Sequence, residues 1–187
     1  MLLAFGIWNI GHGAYIYAKA ALAQHLLRQA WQDTLQGQAT VKPWLWADTY
    51  PVARLTMPQQ DVDLIVLAGA SGRTLAFGPG HVDGTPLPGA TGNSVLSAHR
   101  DTHFAFLQHV KLGDAFSVEN AKGQKTRYVV RTTHIVDKND LSVMRATTET
   151  EITLVTCYPF DAIRAGGPLR YIVTAQPVAV PKLARAM

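Results

Sequence analysis

From Tyr50 to Ala175 the chain is a succession of short β-branched and apolar runs, each broken by glycine, proline or a polar turn. Pro51–Met57, Val62–Ala68, Asn93–Ala98, Ala115–Val118, Thr126–Val136, Ile152–Thr156 and Leu169–Ala175 all read as strands. Between them the chain leaves room only for short helical pieces, at 71–77 and from Phe104 to Val110. Asp101 or Thr102 is expected to cap the second piece. The stretch 69–92 reads as an irregular, Gly- and Pro-rich crossing. Residues 137–150 read as a polar loop or a short helix. Strands at this spacing predict an all-β barrel or sandwich. At 187 residues the chain is long enough for one full core and short for two.

The N-terminal part differs. Residues 3–32 read as one helix, uncharged through Ala18 and amphipathic from Lys19 to Trp31. Two readings stand for it: a membrane anchor continuing into a surface helix, or a helix packed on the domain. Asn9, Gly11, His12 and Gly13 interrupt the uncharged stretch, and no basic residue precedes it. The organisation expected is an N-terminal helix over 1–35, a connector over 36–48, a barrel over 49–176 and a tail over 177–187. Net charge is +4, but Lys and Arg are scattered with no aromatic-interleaved basic patch, which argues against nucleic-acid binding.

The chemistry gathers at strand ends. Ile152–Thr156 reads as a buried strand delivering Cys157, the only cysteine, and Pro159 forces a turn just beyond it. On its own, a lone cysteine is either a small core residue or a nucleophile. His99 follows another strand, and Arg170 opens the last. Histidine can take and return the proton of a thiol. A fixed guanidinium can hold a carbonyl or a developing oxyanion. Together the three residue types suit acyl transfer from a peptide bond. Arg164, in the loop after Cys157, is the rival arginine; a strand position favours Arg170, because charge stabilisation needs rigid placement.

Thr153-Leu154-Val155-Thr156-Cys157, followed by Arg170 opening a strand, resembles the signature of the sortases. Gly89-x-x-Gly92-Asn93-Ser94-Val95-Leu96-Ser97-Ala98-His99-Arg100 is similar to their histidine segment. The resemblance runs from about Tyr50 to Ala175. His99-Arg100-Asp101-Thr102-His103-Phe104 and Thr156-Cys157-Tyr158-Pro159-Phe160 narrow it to the proteobacterial members. It implies a closed eight-stranded sortase-like β-barrel with short helices and an N-terminal helix. It implies a cysteine transpeptidase that cleaves a Leu-Pro-x-Thr-Gly-like motif after its Thr and passes the acyl group to an amine. Cys157 would be the nucleophile, His99 the general acid/base and Arg170 the substrate and oxyanion clamp. Thr156, with Ala98 and Tyr158, would contact the substrate, and the loop 137–150 would shape the groove for the Leu-Pro part. The partners expected are a motif-bearing protein and an amine acceptor. Residues 1–18 would be a single-pass anchor, with the domain on the extracytoplasmic side. No cofactor is expected.

Other readings are weaker. His99 and His103 are spaced to share a helix face, yet the Glu of a zinc-protease helix and a third ligand are missing. Asp137, Asp140 and Glu149 are available for calcium, which activates some sortases, but form no ligand pattern. Papain-like enzymes place Cys before His, the reverse of the order here. His81, His109 and His134 read as packing or surface histidines. The remaining alternatives are a peptidase of the same fold using water as acceptor, and a non-catalytic surface barrel with Cys157 in its core.

Overall fold

The computed structural model describes residues 2–38, 40–164 and 166–178, with residues 2–10 and 14 described for their backbone only. Of the tail expected over 177–187, residues 179–187 lie outside the described residues. Eight strands close a barrel: β1 Pro51–Met57, β2 Val62–Ala68, β3 Gly80–His81, β4 Gly92–Ser97, β5 Ala115–Asn120, β6 Lys125–Asp137, β7 Thr150–Tyr158 and β8 Leu169–Pro177. Around the barrel they run β1-β2-β3-β4-β7-β8-β6-β5, and β5 pairs back onto β1. Closure leaves no open sheet edge. The expected eight-stranded barrel is the fold.

Alternation decides which side chains face inward. Leu55, Val66, Leu96, Val118, Tyr128, Ile152, Leu154 and Val173 fill the interior and are buried. Each such apolar side chain contributes about 1.5–3 kcal/mol by leaving water. Phe104, Phe106 and Leu107 join the same core, with Phe104 and Phe106 in edge contact. Phe106 and Leu107 come from a 3₁₀ turn, Ala105–His109, that begins after Phe104 with no side-chain cap. The expected cap by Asp101 or Thr102 is therefore not formed. The backbone N–H of Phe104 donates instead to the His99 carbonyl at 3.0 Å.

The two-residue strand β3 lies in the crossing expected to be irregular. It runs parallel to β2 and antiparallel to β4. Gly80 makes it fit, because a Cβ there would overlap the Gly69 carbonyl oxygen. Gly92 opens β4 at φ +108, where a side chain would be strained and would lie 2.8 Å from Pro86.

One helix, α1, spans Leu2–Leu35. Its second half packs Leu27 and Trp31 onto Ile65 and Leu67, the outward-facing residues of β2. Trp44 of the connector and Phe77 complete this cluster, 4.9 Å apart edge to face. The segment after Ser71 forms the short helix α2, Gly72–Leu75, whose first turn Ser71 caps by accepting from the Thr74 N–H. Among the described residues, no helix is long and apolar enough to cross a membrane. The single-pass anchor expected over 1–18 is thus unsupported. The physical reason lies in Asn9, His12 and three glycines within the uncharged stretch, and in Lys19, which ends it.

Candidate active site

Three strands bring the chemistry to one end of the barrel. β4 runs parallel to β7, with Ser97 opposite Val155, so His99 stands level with Cys157 two residues beyond the end of β4. Ala98 N–H donates to the Val155 carbonyl at 3.2 Å and keeps the two chains together there. β7 runs antiparallel to β8, and Cys157 is the direct partner of Arg170. Directly opposed residues project to the same face of a sheet. Cys157 is partly exposed, so it is not a core cysteine. His99 is exposed.

The same alternation corrects one expected contact. Thr156 points into the barrel, only 1% exposed, and its hydroxyl donates to the Ala98 carbonyl at 2.8 Å. Ala98 is buried as well. Neither side chain can line an outer groove; together they lock the ends of β4 and β7 beneath His99 and Cys157. Tyr158 stacks on Tyr171 and meets Phe160 edge to face. It is half-buried in an aromatic cluster at the turn, which includes the cis Tyr158–Pro159 peptide.

A groove of about 160 Å³ runs along the outer face toward Cys157. Val95 and Ser97 of β4, Val155 of β7, and Ile172 and Arg170 of β8 lie along it, with Val136 on β6. Val155 and Cys157 share a strand face, as do Ser97 and His99, so the groove leads to both. Its roof is a 3₁₀ turn, Leu141–Met144, which supplies Leu141, Val143 and Met144. Three contacts hold that roof. Asp140 accepts from the Ser142 N–H at 2.9 Å. Asn93, buried in β4, donates to the Val143 carbonyl at 2.9 Å and accepts from Thr153 Oγ1 at 2.8 Å. Arg145 reaches the buried carboxylate of Glu151 at 2.9 Å.

Arg170 donates through Nη1 to the carbonyls of Gly167 and Leu169, at 3.0 and 2.8 Å. Its side chain is therefore seated at the groove mouth before any ligand is present. Arg164 is exposed in the loop after Cys157 and does not line the groove. His81 is buried in β3, with Nε2 2.9 Å from the Pro86 carbonyl oxygen, while His109 and His134 are exposed. Asp137 and Asp140 accept from nearby backbone N–H groups, and no group of three metal-ligating side chains gathers among the described residues.

Burial, and secondarily the nearby charge of His99, hold His103 below the ordinary imidazole value. The unfolded chain thus binds a proton here more readily than the folded one. The stabilisation is complete above pH 6.5 and is lost as pH falls through the lower folded value. Stability measured from pH 7 to pH 5 is expected to fall less steeply in His103→Asn than in the wild type.

Comparison with known proteins now decides the family. A family model described as a sortase domain matches residues 55–178, which takes in β7, β8 and the segment around His99. The chain belongs to the sortase family. It is 35% identical over 120 residues to Sortase D of Bacillus subtilis (strain 168), covering 64% of this chain. That match spans only 60% of the length of the Bacillus protein. Among solved structures it is similar to Sortase C2 of Group B Streptococcus Pilus Island 1, 32% identical with a TM-score of 0.62 over 69% of this chain and 74% of the other. A Clostridium perfringens Sortase D5 transpeptidase shares the fold at 20% identity, with a TM-score of 0.66 over 85% of this sortase and 99% of that chain.

Several residues of the site escaped sequence reasoning. Val95, Val155 and Ile172 could have been found by carrying the alternation outward from Cys157 and Arg170. The roof was expected from the resemblance as the loop 137–150, but which of its residues reach the groove was not legible, because the Asn93–Val143 contact that seats Leu141–Met144 spans fifty residues.

Proposed function

We propose that the chain is a sortase-type cysteine transpeptidase that cleaves a Leu-Pro-x-Thr-Gly-like motif and transfers the acyl group to an amine. Sortases are cysteine transpeptidases, and the reading assigns Cys157, His99 and Arg170 the roles of nucleophile, general acid/base and oxyanion clamp. The observation that carries it is the pairing of Cys157 with Arg170 across β7 and β8, with His99 level with them at the end of β4. In the first half-reaction Cys157 Sγ, relieved of its proton by His99, attacks the carbonyl carbon after the motif's Thr. Arg170 meets the charge growing on the carbonyl oxygen. His99 then protonates the departing amine, leaving a thioester on Cys157. In the second half-reaction an amine attacks the thioester, loses its proton to His99 and returns the free thiol.

The floor and roof of the groove suit the motif's first two residues, since Val95, Val155, Ile172, Leu141, Val143 and Met144 line them, while Lys138, Asp140 and Arg170 supply its charged groups. The catalytic unit is residues 49–176, with 36–48 as its connector. Family members work at the cell surface, and the domain is placed on the extracytoplasmic side. Its His99–Phe104 and Thr156–Phe160 segments support a place near the proteobacterial branch.

The test is incubation with a library of pentapeptide motifs, with and without an added amine, beside Cys157→Ala. Cleavage that depends on Cys157 and yields an amide with the added amine is expected. Release of free acid only, whatever the amine, would mark a hydrolase, and no Cys157-dependent cleavage would leave a non-catalytic barrel. Arg170→Ala is expected to lose about 10²–10³-fold in kcat, the cost of removing one oxyanion donor.

A further inference from the structure

Arg100 directly follows His99, yet its side chain is only 6% exposed. A buried guanidinium needs partners, because its charge is costly to remove from water. No carboxylate lies within ion-pair distance of it among the described residues. Its Nη2 instead donates to two backbone carbonyls, Ala162 at 2.7 Å and Arg164 at 2.6 Å. Both belong to the loop that leaves Cys157 through Pro159. Its Nη1 finds no partner among the described residues, so these carbonyls are what meet the charge.

The groove is lined as far as Val155 and Arg170, the strand neighbour and the cross-strand partner of Cys157. A peptide lying in it with its scissile bond at Cys157 must send its leaving amine past the strand ends, and an incoming amine must arrive there. On that side the His99 segment and the loop after Cys157 face each other, and Arg100 joins them. We propose that Arg100 is a positioning residue that clamps the loop after Cys157 to the His99 segment and so shapes the acceptor side of the site. The inference rests on the transpeptidase reading for its acceptor, but the clamp itself does not. With the clamp, an amine is held within reach of His99 and of the thioester. Without it, the loop drifts and water takes more of the acyl group.

Two measurements on Arg100→Met and Arg100→Lys test this, in the full chain. Amide hydrogen exchange over 160–164 is expected to rise at least tenfold in Arg100→Met, with the β7 and β8 amides unchanged. The ratio of amine transfer to hydrolysis is expected to fall about tenfold in Arg100→Met and to stay nearer the wild type in Arg100→Lys. That ratio does not depend on how much of the protein is folded, so a merely structural loss would not move it. Should Arg100→Met fail to fold, Arg100→Lys carries both readouts: its one ammonium cannot reproduce the guanidinium's geometry, and a smaller shift in the same direction is expected. Unchanged exchange over 160–164 would overturn the clamp, and an unchanged ratio would overturn its acceptor-side role. If the wild type cleaves no motif peptide, the transpeptidase reading fails, and the exchange measurement still judges the clamp.

Discussion

Cys157→Ala is expected to lower motif-peptide cleavage by at least about 10³-fold, the scale seen when a covalent nucleophile is removed. The chain holds no other thiol to take over. The side chain is partly exposed at the end of β7, so losing its sulfur removes little packing. Melting temperature and circular dichroism should therefore match the wild type while turnover vanishes. A small alkylating reagent gives the companion result: one adduct on the native wild-type protein, and none on Cys157→Ala. A fall in cleavage matched by a fall in folded fraction would trace the effect to stability instead.

His99→Ala is expected to cost about 10²–10⁴-fold in kcat, the range of a positioned general acid/base. His99 stands exposed two residues past β4 and makes no part of the barrel core. The hydrogen bond from Phe104 N–H to the His99 carbonyl belongs to the backbone and survives the substitution. The loss should thus fall on chemistry, with KM for the peptide changed little, since the groove lies along Val95, Val155 and Ile172. Added imidazole should restore part of the rate by entering the space left open to solvent. His103→Ala, by contrast, should leave most of the rate intact. Equal losses in both variants would point to shared damage in the 99–104 segment and would remove His99 from its assigned role.

The barrel was legible in the sequence where its strands alternate over many residues. Thr126–Val136 and Ile152–Thr156 carry enough pattern to define β6 and β7, although β7 extends two residues beyond the run at each end. β3 was not legible, because two residues, Gly80 and His81, hold no period; what makes them a strand is the close approach of Gly80 to Gly69. The helical turn after Asp101 was anticipated in place but not in kind, since a tertiary pull on Phe104 and Leu107 produced a 3₁₀ turn without a side-chain cap.

The site divides the same way. Cys157, His99 and Arg170 could be marked from residue type, strand position and resemblance. Thr156 was given to the groove by the resemblance, yet a strand sends neighbours to opposite faces, and its side chain braces Ala98 from within. The reverse holds for Val155, whose side chain faces the groove. Asn93 and Arg100 act across long stretches of chain, joining β4 to the roof and the His99 segment to the loop after Cys157. No local pattern encodes such pairings. The N-terminal helix was also legible as a helix, while its membrane span was not upheld.

The most direct measurement is the intact mass of the protein mixed with a Leu-Pro-x-Thr-Gly peptide and no amine acceptor. The expected result is a covalent adduct on Cys157 equal to the peptide through its Thr, discharged when hydroxylamine is added. Peptide cleavage with Cys157 unmodified throughout, and undiminished in Cys157→Ala, would contradict a thioacyl enzyme.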